Sequence, residues 1–228
     1  MRYAVLGTGT VGRVIAAKLA SLGHEVTIGT RDPQATLART EPDAMGTPPF
    51  AQWQPQHSQV RLGTFAEAAA FADIVVNATA GAGALAALEA AGADHLDGKV
   101  LLDIANPLDF SQGMPPSLNP VNTDSLGEQI QRAFPRAKVV KTLNTMSCTV
   151  MVDPARVSGE HHTFVSGNDP DAKKTATGLL ASFGWPTGNV IDLGDITTAR
   201  GTEMLLPIWL RLWGALGHAD FNFHIASA

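Results

Sequence analysis

The chain is poor in several things, and each scarcity narrows what it can do. One cysteine, Cys148, stands among 228 residues, so no internal disulfide can form and a disulfide-stapled secreted scaffold is excluded. Charge is sparse and slightly acidic, with 16 Lys and Arg against 21 Asp and Glu, which gives no basic field to draw in nucleic acid or an anionic membrane surface. A bilayer-spanning run is missing too. The most apolar stretch, MLLPIWLRLWGAL at 204–216, is broken by Pro207 and Arg211 and falls well short of the roughly 20 residues needed. The chain opens in a strand pattern with no charged leader ahead of an apolar segment, so a reducing, cytoplasmic location is expected.

What is present is a globular composition, 45% hydrophobic, in which strand-like apolar runs alternate with helical patterns. That rhythm predicts an α/β fold, a Rossmann-type doubly wound and mainly parallel sheet with a smaller C-terminal α/β part. The expected division is a dinucleotide domain at 1–147 and a C-terminal part at 148–228. Strands are predicted at 3–6, 25–29, 60–62, from 73, from 99 and from 138, and again at 162–167 and 189–193, with a short strand-like finish at 221–225. Ser125 and Glu128 read as a capping box, and Pro207 predicts a kink in a long helix starting at 196. Residues 40–59, rich in Pro and Gln, are far too long for an ordinary connection and read as a flap or an unstructured insertion; Phe50 and Trp53 favour the flap.

The most informative motif is Gly7-Thr8-Gly9-Thr10-Val11-Gly12. Alone the G-x-G-x-x-G pattern is weak, but here it lies between a strand and a helix inside one βαβ unit. The first glycine permits the tight turn, the second lets backbone approach a pyrophosphate, and the third lets helix pack on strand, while the helix N-terminus offers free N–H groups. The second strand then ends in Thr30-Arg31, where an NAD site would carry an acidic residue. Thr and Arg can donate to a 2′-phosphate, so NADP(H) is the expected cofactor; Asp32, followed by Pro33, reads as a helix cap instead.

Ligands of open α/β sheets sit outside the carboxyl ends of the strands. This places Ala78, Thr79, Ala80, Ala105, Asn106 and Pro107 as further cofactor-binding candidates, with Asn144 and Met146 on the substrate side. No Ser-His-Asp arrangement, paired carboxylates or metal-ligand spacing is legible, and no metal is expected. Hydride transfer between two rings requires contact and alignment rather than an acid or base, so no catalytic residue is assigned. His161 and His162 read as surface histidines, and Cys148 as a small buried side chain. Trp209, Trp213, Leu205, Leu206, Leu212 and Leu216 form an apolar face that suits core packing, a homodimer interface or a ring-binding wall.

Taken with the L-G-H-E-V stretch, the T-R pair, VVKTLNT, G-N-D-P-D and GDITTARGTEMLLPIWL, the glycine loop resembles the coenzyme F420-dependent NADP oxidoreductase family over most of the chain. The nucleotide part is also similar to the reductase domain of the STEAP ferric reductases. The resemblance implies a cytoplasmic homodimer that binds NADP(H) with its nicotinamide facing a deazaflavin, F420, or a flavin-like acceptor. By motif it brings Thr8, Asn144 and Thr197 near the rings. Asn144 stands where the archaeal members carry histidine, and Ala80-Gly81 replaces a bulkier Pro-Trp pair. Both departures lie on the acceptor side, so an NADPH-dependent reductase of another small organic substrate and a non-catalytic NADP(H)-binding module stay open beside the F420 or flavin reading.

Overall fold

The computed structural model describes residues 1–43 and 46–227. It opens with β1 (Arg2–Leu6), α1 (Thr10–Ser21) and β2 (Glu25–Thr30), then α2 (Pro33–Ala38) and α3 (Phe50–Trp53). Next come β3 (Val60–Thr64), α4 (Phe65–Phe71), β4 (Ile74–Asn77), α5 (Ala84–Ala91), α6 (Ala93–Leu96) and β5 (Val100–Asp103). A small antiparallel pair, β6 (Leu108–Asp109) and β7 (Ser117–Leu118), is followed by α7 (Leu126–Ala133), β8 (Lys138–Thr142) and α8 (Cys148–Val152). The chain finishes through β9 (Thr163–Gly167), α9 (Pro170–Phe183), β10 (Val190–Gly194), α10 (Ala199–Glu203) and α11 (Leu206–Leu216).

Eight strands form one sheet in the order β10-β9-β8-β5-β4-β1-β2-β3. All neighbours are parallel except β8 and β9, so β9 and β10 run against the rest. The fold is the expected Rossmann-like α/β sandwich, and the sheet continues without a break past residue 147. The central strands are apolar on both faces because helices cover both. Ile15, Leu19, Met151 and Phe183 fill one side; Leu6, Val75, Leu88 and Ile130 fill the other.

Local signals explain most boundaries. Thr64 and Glu67 close a full reciprocal capping box on α4. Asp169 caps α9 through Ala172 N at 2.8 Å, Pro170 occupies its first turn, and Gly184 ends it in the left-handed region at φ 110°. The long helix expected from residue 196 is divided: α10 stops at Glu203 and α11 restarts at Leu206 with Pro207 in its first turn, because proline cannot supply the missing N–H. Ser125 caps α7 through Glu128 N at 3.1 Å, but the Glu128 carboxylate turns to the Ser125 hydroxyl and Arg200 rather than to backbone.

Two expectations are corrected. The 221–225 run makes no strand; it lies along the protein with Phe223 O accepting from His162 N at 2.9 Å. His161 and His162 are buried rather than at the surface. The His161 ring bridges Pro154 O and Asn222, and His162 Nδ1 accepts from Ile225 N, so the C-terminal segment supplies the polar partners that water would otherwise provide. Within 40–59, residues 44 and 45 lie outside the described residues; the remainder folds onto the body of the protein as a flap, with Phe50 fully buried.

Candidate functional site

The chain order changes direction between β1 and β4: β2 and β3 add on one side of β1, and β4, β5 and β8 on the other. A crevice therefore opens outside the carboxyl ends of β1 and β4, which is where doubly wound sheets bind ligands. The glycine loop leaves β1 at this point. Gly9 precedes α1 with no side-chain cap, so the first N–H groups of the helix point outward unclaimed by a side chain. Gly12 has no room for a side chain: a Cβ there would stand 2.1 Å from Gly7 O. Loop and helix are thus held in contact.

Two cavities flank this loop. The smaller, about 280 Å³, is lined by Gly7, Thr8, Gly9, Arg39 and Asp43, together with Ala78–Ala80. The larger, about 590 Å³, runs from Thr10 and Val11 past Asn106, Asn144 and Met146 to Trp209 and Trp213. Ala78, Thr79 and Ala80, the residues just beyond β4, belong to both. One elongated ligand lying across the strand ends would occupy the two cavities in turn.

The strand ends are tightly ordered. Thr79 Oγ1 donates to Asn77 Oδ1 at 2.7 Å, and Asn77 Nδ2 donates to Asp103 Oδ1 at 2.8 Å. Asn106 and Asn144 clasp each other, with Asn106 Nδ2 on Asn144 O at 2.8 Å and Asn144 Nδ2 on Asn106 Oδ1 at 3.0 Å. Beneath them Lys141, Asp103 and Glu203 form a fully buried ion cluster. Burial alone would lower the Lys141 pKa, but the Asp103 and Glu203 carboxylates outweigh it and leave the ammonium above its ordinary value.

The flap is fastened to the glycine loop by Arg13. Its Nε donates to Thr8 O at 2.7 Å, its Nη1 to Pro48 O at 2.6 Å, and its guanidinium lies 5.3 Å from the Phe50 ring centroid. Thr10 and Thr47 add a hydroxyl pair at 2.7 Å. Burial is the main reason that Arg13 is less basic than usual, and the nearby charge of Arg39 adds to it.

Most residues singled out in the sequence converge here. Gly7–Gly9, Thr10, Val11, Ala78–Ala80, Ala105, Asn106, Asn144 and Met146 all line one cavity or the other. The Thr30 hydroxyl is already paired with Thr36 Oγ1 at 2.9 Å and is buried, so its direct part in holding a phosphate is reduced. Arg31 is exposed and, among the described residues, makes no ion pair or hydrogen bond. Pro107 sits beyond the cavity lining; its carbonyl accepts from Asn119 N at 2.9 Å. Thr197 is not brought to the site. It follows β10, which runs against the nucleotide-binding strands, and its backbone N–H and hydroxyl both donate to the capping Asp195 carboxylate in an exposed turn.

Other contributors carried weaker signals. Phe110, Met114 and Pro116, from the β6–β7 connection, line the larger cavity, as do Leu206, Trp209 and Leu210 from α11. Cys148 lines it as well, and burial pushes its thiol pKa up, which agrees with an unreactive side chain. Among the described residues no group of three or more His, Cys, Asp and Glu could hold a metal ion, and no helix is long and apolar enough to cross a membrane.

Comparison with known proteins gives this geometry a lineage. Residues 2–107 match the family model for coenzyme F420-dependent NADP oxidoreductases. A crystal structure from Arthrobacter sp. FB24, named a candidate F420-dependent NADP reductase, is 68% identical, covers 99% of both chains and superposes with a TM-score of 0.94. The chain belongs to this oxidoreductase family. Rat metalloreductase STEAP3 is 26% identical over 212 residues, 91% of this chain but 38% of its own length. A reductive aminase from Aspergillus terreus, solved with NADPH and ethyl levulinate, shares the fold with a TM-score of 0.63 at 17% identity, over 95% of this chain and 62% of that one. The chain therefore spans well under half of the STEAP3 sequence and about three fifths of the aminase.

Proposed function

We propose that this F420-dependent-type oxidoreductase binds NADP(H) across the two cavities and exchanges hydride with a flavin-like ring, a deazaflavin such as F420 or a flavin, held against the larger one. The observation that carries the reading is the shared wall at Ala78–Ala80: phosphates bound at the glycine loop and the start of α1 direct the nicotinamide along these residues toward Asn106 and Asn144. Arg31, free of other partners, and Arg39, on the wall of the smaller cavity, supply cations for a 2′-phosphate. The chemistry belongs to the two rings; the protein excludes water and aligns them. Thr8 and Met146 would flank the rings.

The test is anaerobic mixing of protein, NADPH and a flavin or F420. Loss of the NADPH absorbance with matching reduction of the acceptor supports the reading. Failure to reduce any of F420, FMN, FAD or riboflavin would sink it. Tight NADPH binding without turnover on any acceptor would favour the non-catalytic module, and turnover confined to carbonyl or imine substrates would favour an ordinary small-molecule reductase such as the Aspergillus reductive aminase. The exposed Ile208, Trp213 and Leu216 on α11, a helix whose single charged residue is Arg211, support assembly as a homodimer, checked by light scattering of the purified protein.

A further inference from the structure

We propose that residues 220–225 form a strap that positions Trp209 on the acceptor wall of the larger cavity, and that neutral His161 and His162 fasten it, so that protonating the pair weakens acceptor binding. The proposal builds on the hydride-transfer reading above. Trp209 lines the larger cavity, yet its Nε1 is buried with no hydrogen-bond partner among the described residues. No polar contact therefore fixes the indole. Its neighbours are aromatic: Phe221 stacks on it with ring centroids 5.4 Å and planes 25° apart, and Trp213, one turn along α11, lies at 6.0 Å. Phe221 belongs to the strap, so the set of this wall depends on where the strap is held.

The protons of the fastening network have one arrangement. Asn222 Nδ2 donates to His162 O at 2.9 Å, and a carbonyl only accepts, so the amide nitrogen must stand there. The same nitrogen gives its second N–H to His161 Nδ1 at 2.9 Å, which then carries no proton. His161 Nε2 donates to Pro154 O at 3.0 Å and holds the single ring proton. His162 Nδ1 accepts from Ile225 N at 3.1 Å, so this ring is neutral as well. A proton added at His161 Nδ1 meets the Asn222 N–H head on; turning the amide offers Oδ1 instead but takes the donor from His162 O. A proton at His162 Nδ1 displaces Ile225 N. Either event costs the strap a bond beside a buried ring.

The segments packed around the two rings carry Asp153 and Arg156 on either side of Pro154, Glu160 ahead of His161, and His218, Asp220 and His224 on or beside the strap. Trp185, edge-on to His161 at 5.1 Å, and Asn189, which donates to His161 O, bring no charge. The His224 ring lies 5.3 Å from that of His162. Asp220 accepts from Arg156 at 2.8 Å, and these hydrogen bonds lower its pKa from the ordinary 3.8. This outer fastening therefore keeps its charge in the range where histidines titrate, and the response there belongs to the imidazoles.

The experiment measures the riboflavin KM at saturating NADPH between pH about 8 and about 6. In the wild type it is expected to rise about tenfold toward the acid end. The double variant His161→Asn, His162→Asn keeps an acceptor oxygen at each Nδ1 position and cannot titrate there, so its KM should stay flat. Asn222→Ala and Phe221→Ala should show the raised KM at every pH with NADPH affinity at pH about 8 unchanged, and Phe221→Tyr should recover the wild-type value. A wild-type KM indifferent to pH, an equal acid rise in the double variant, or a wild-type KM in Asn222→Ala overturns the proposal. Should the double variant not fold, Asn222→Ala and the two Phe221 variants decide it. If no ring acceptor is reduced, the proposed function fails and the strap is judged without turnover, by hydrogen exchange at Ile225 N–H in NADP⁺-loaded wild-type protein. Protection lost on acidification, beyond the intrinsic change in exchange rate, supports the fastening; equal protection at both pH values overturns it.

Discussion

Lys141 and Asp103 face each other across neighbouring strands with Nζ 2.8 Å from Oδ2, and neither side chain is exposed. Lys141 also reaches Glu203 at 2.8 Å and Ala105 O, and Glu203 accepts from Leu126 N and Gly127 N at the start of α7. One ammonium thereby ties α10, the first turn of α7 and the ends of β5 and β8 together under the Asn106–Asn144 clasp. The cluster makes this corner rigid because each of its charges has a partner.

Lys141→Met is expected to cost about 3–5 kcal/mol, since it leaves two buried carboxylates without their cation. Denaturant unfolding measures this, and a double-mutant cycle with Glu203→Gln should return a coupling above 1 kcal/mol in order of magnitude. The alkaline side follows from the raised pKa. The stabilisation is fully present below the ordinary lysine value of 10.5 and is lost only as pH rises through the higher folded value. Wild-type stability attributable to Lys141 should therefore be flat from neutral pH to about 10.

Gly9 and Gly12 should separate binding from folding. A Cβ on Gly9 would meet nothing within 4 Å, and its φ of −73° suits alanine. Gly9→Ala is expected to leave the melting temperature nearly unchanged while NADPH binding weakens by about 1.5–3 kcal/mol, the worth of hydrogen bonds to a charged phosphate. Gly12→Ala, which collides with Gly7 O, should lose about 1–3 kcal/mol of stability. Thermal melts paired with NADPH titrations read both.

Arg13→Ala removes the link between glycine loop and flap. Cleavage within 40–59 by a nonspecific protease should accelerate, and NADPH affinity should fall by about 1–3 kcal/mol as Thr8 O and Pro48 O lose their charged donor. Unchanged proteolysis would mean that Phe50 burial and the Thr10–Thr47 hydroxyl pair hold the flap without Arg13.

At acid pH the Arg2–Asp73 pair on the surface should respond. Hydrogen bonds from the Arg2 side chain, then its backbone, lower the Asp73 pKa to about 2. Because the folded value is depressed, the contribution is present above the ordinary 3.8 and lost as pH falls toward 2. Asp73→Asn should flatten that part of the acid limb, and salt should diminish the difference because both side chains are exposed.

The parallel sheet and the glycine loop were legible because they rest on local rules: a strand, three spaced glycines and a helix with its apolar stripe on one side. The Thr64–Glu67 cap was equally local, yet it was hidden beside the alanine-rich run it starts. Less visible were features made by distant contacts. Nothing within residues 196–198 reports that β9 reverses direction, so Thr197 appeared adjacent to the nicotinamide when the reversed strands carry it away. His161 and His162 looked solvated because their partners, Pro154 and the 222–225 segment, are supplied by tertiary packing. Phe110 and Met114 carried no periodic signal, since a loop reaches the cavity through its path rather than through a repeat.

The most direct test of hydride transfer across Ala78–Ala80 is the rate of acceptor reduction in a single anaerobic turnover with NADPH deuterated at C4, taking each face of the ring in turn. Slower reduction with deuterium on one face only is the predicted result, because a fixed nicotinamide presents one hydrogen to the apolar cavity. Reduction at the same rate with both deuterated forms, or bound NADPH that passes no electrons to any ring acceptor, would contradict it.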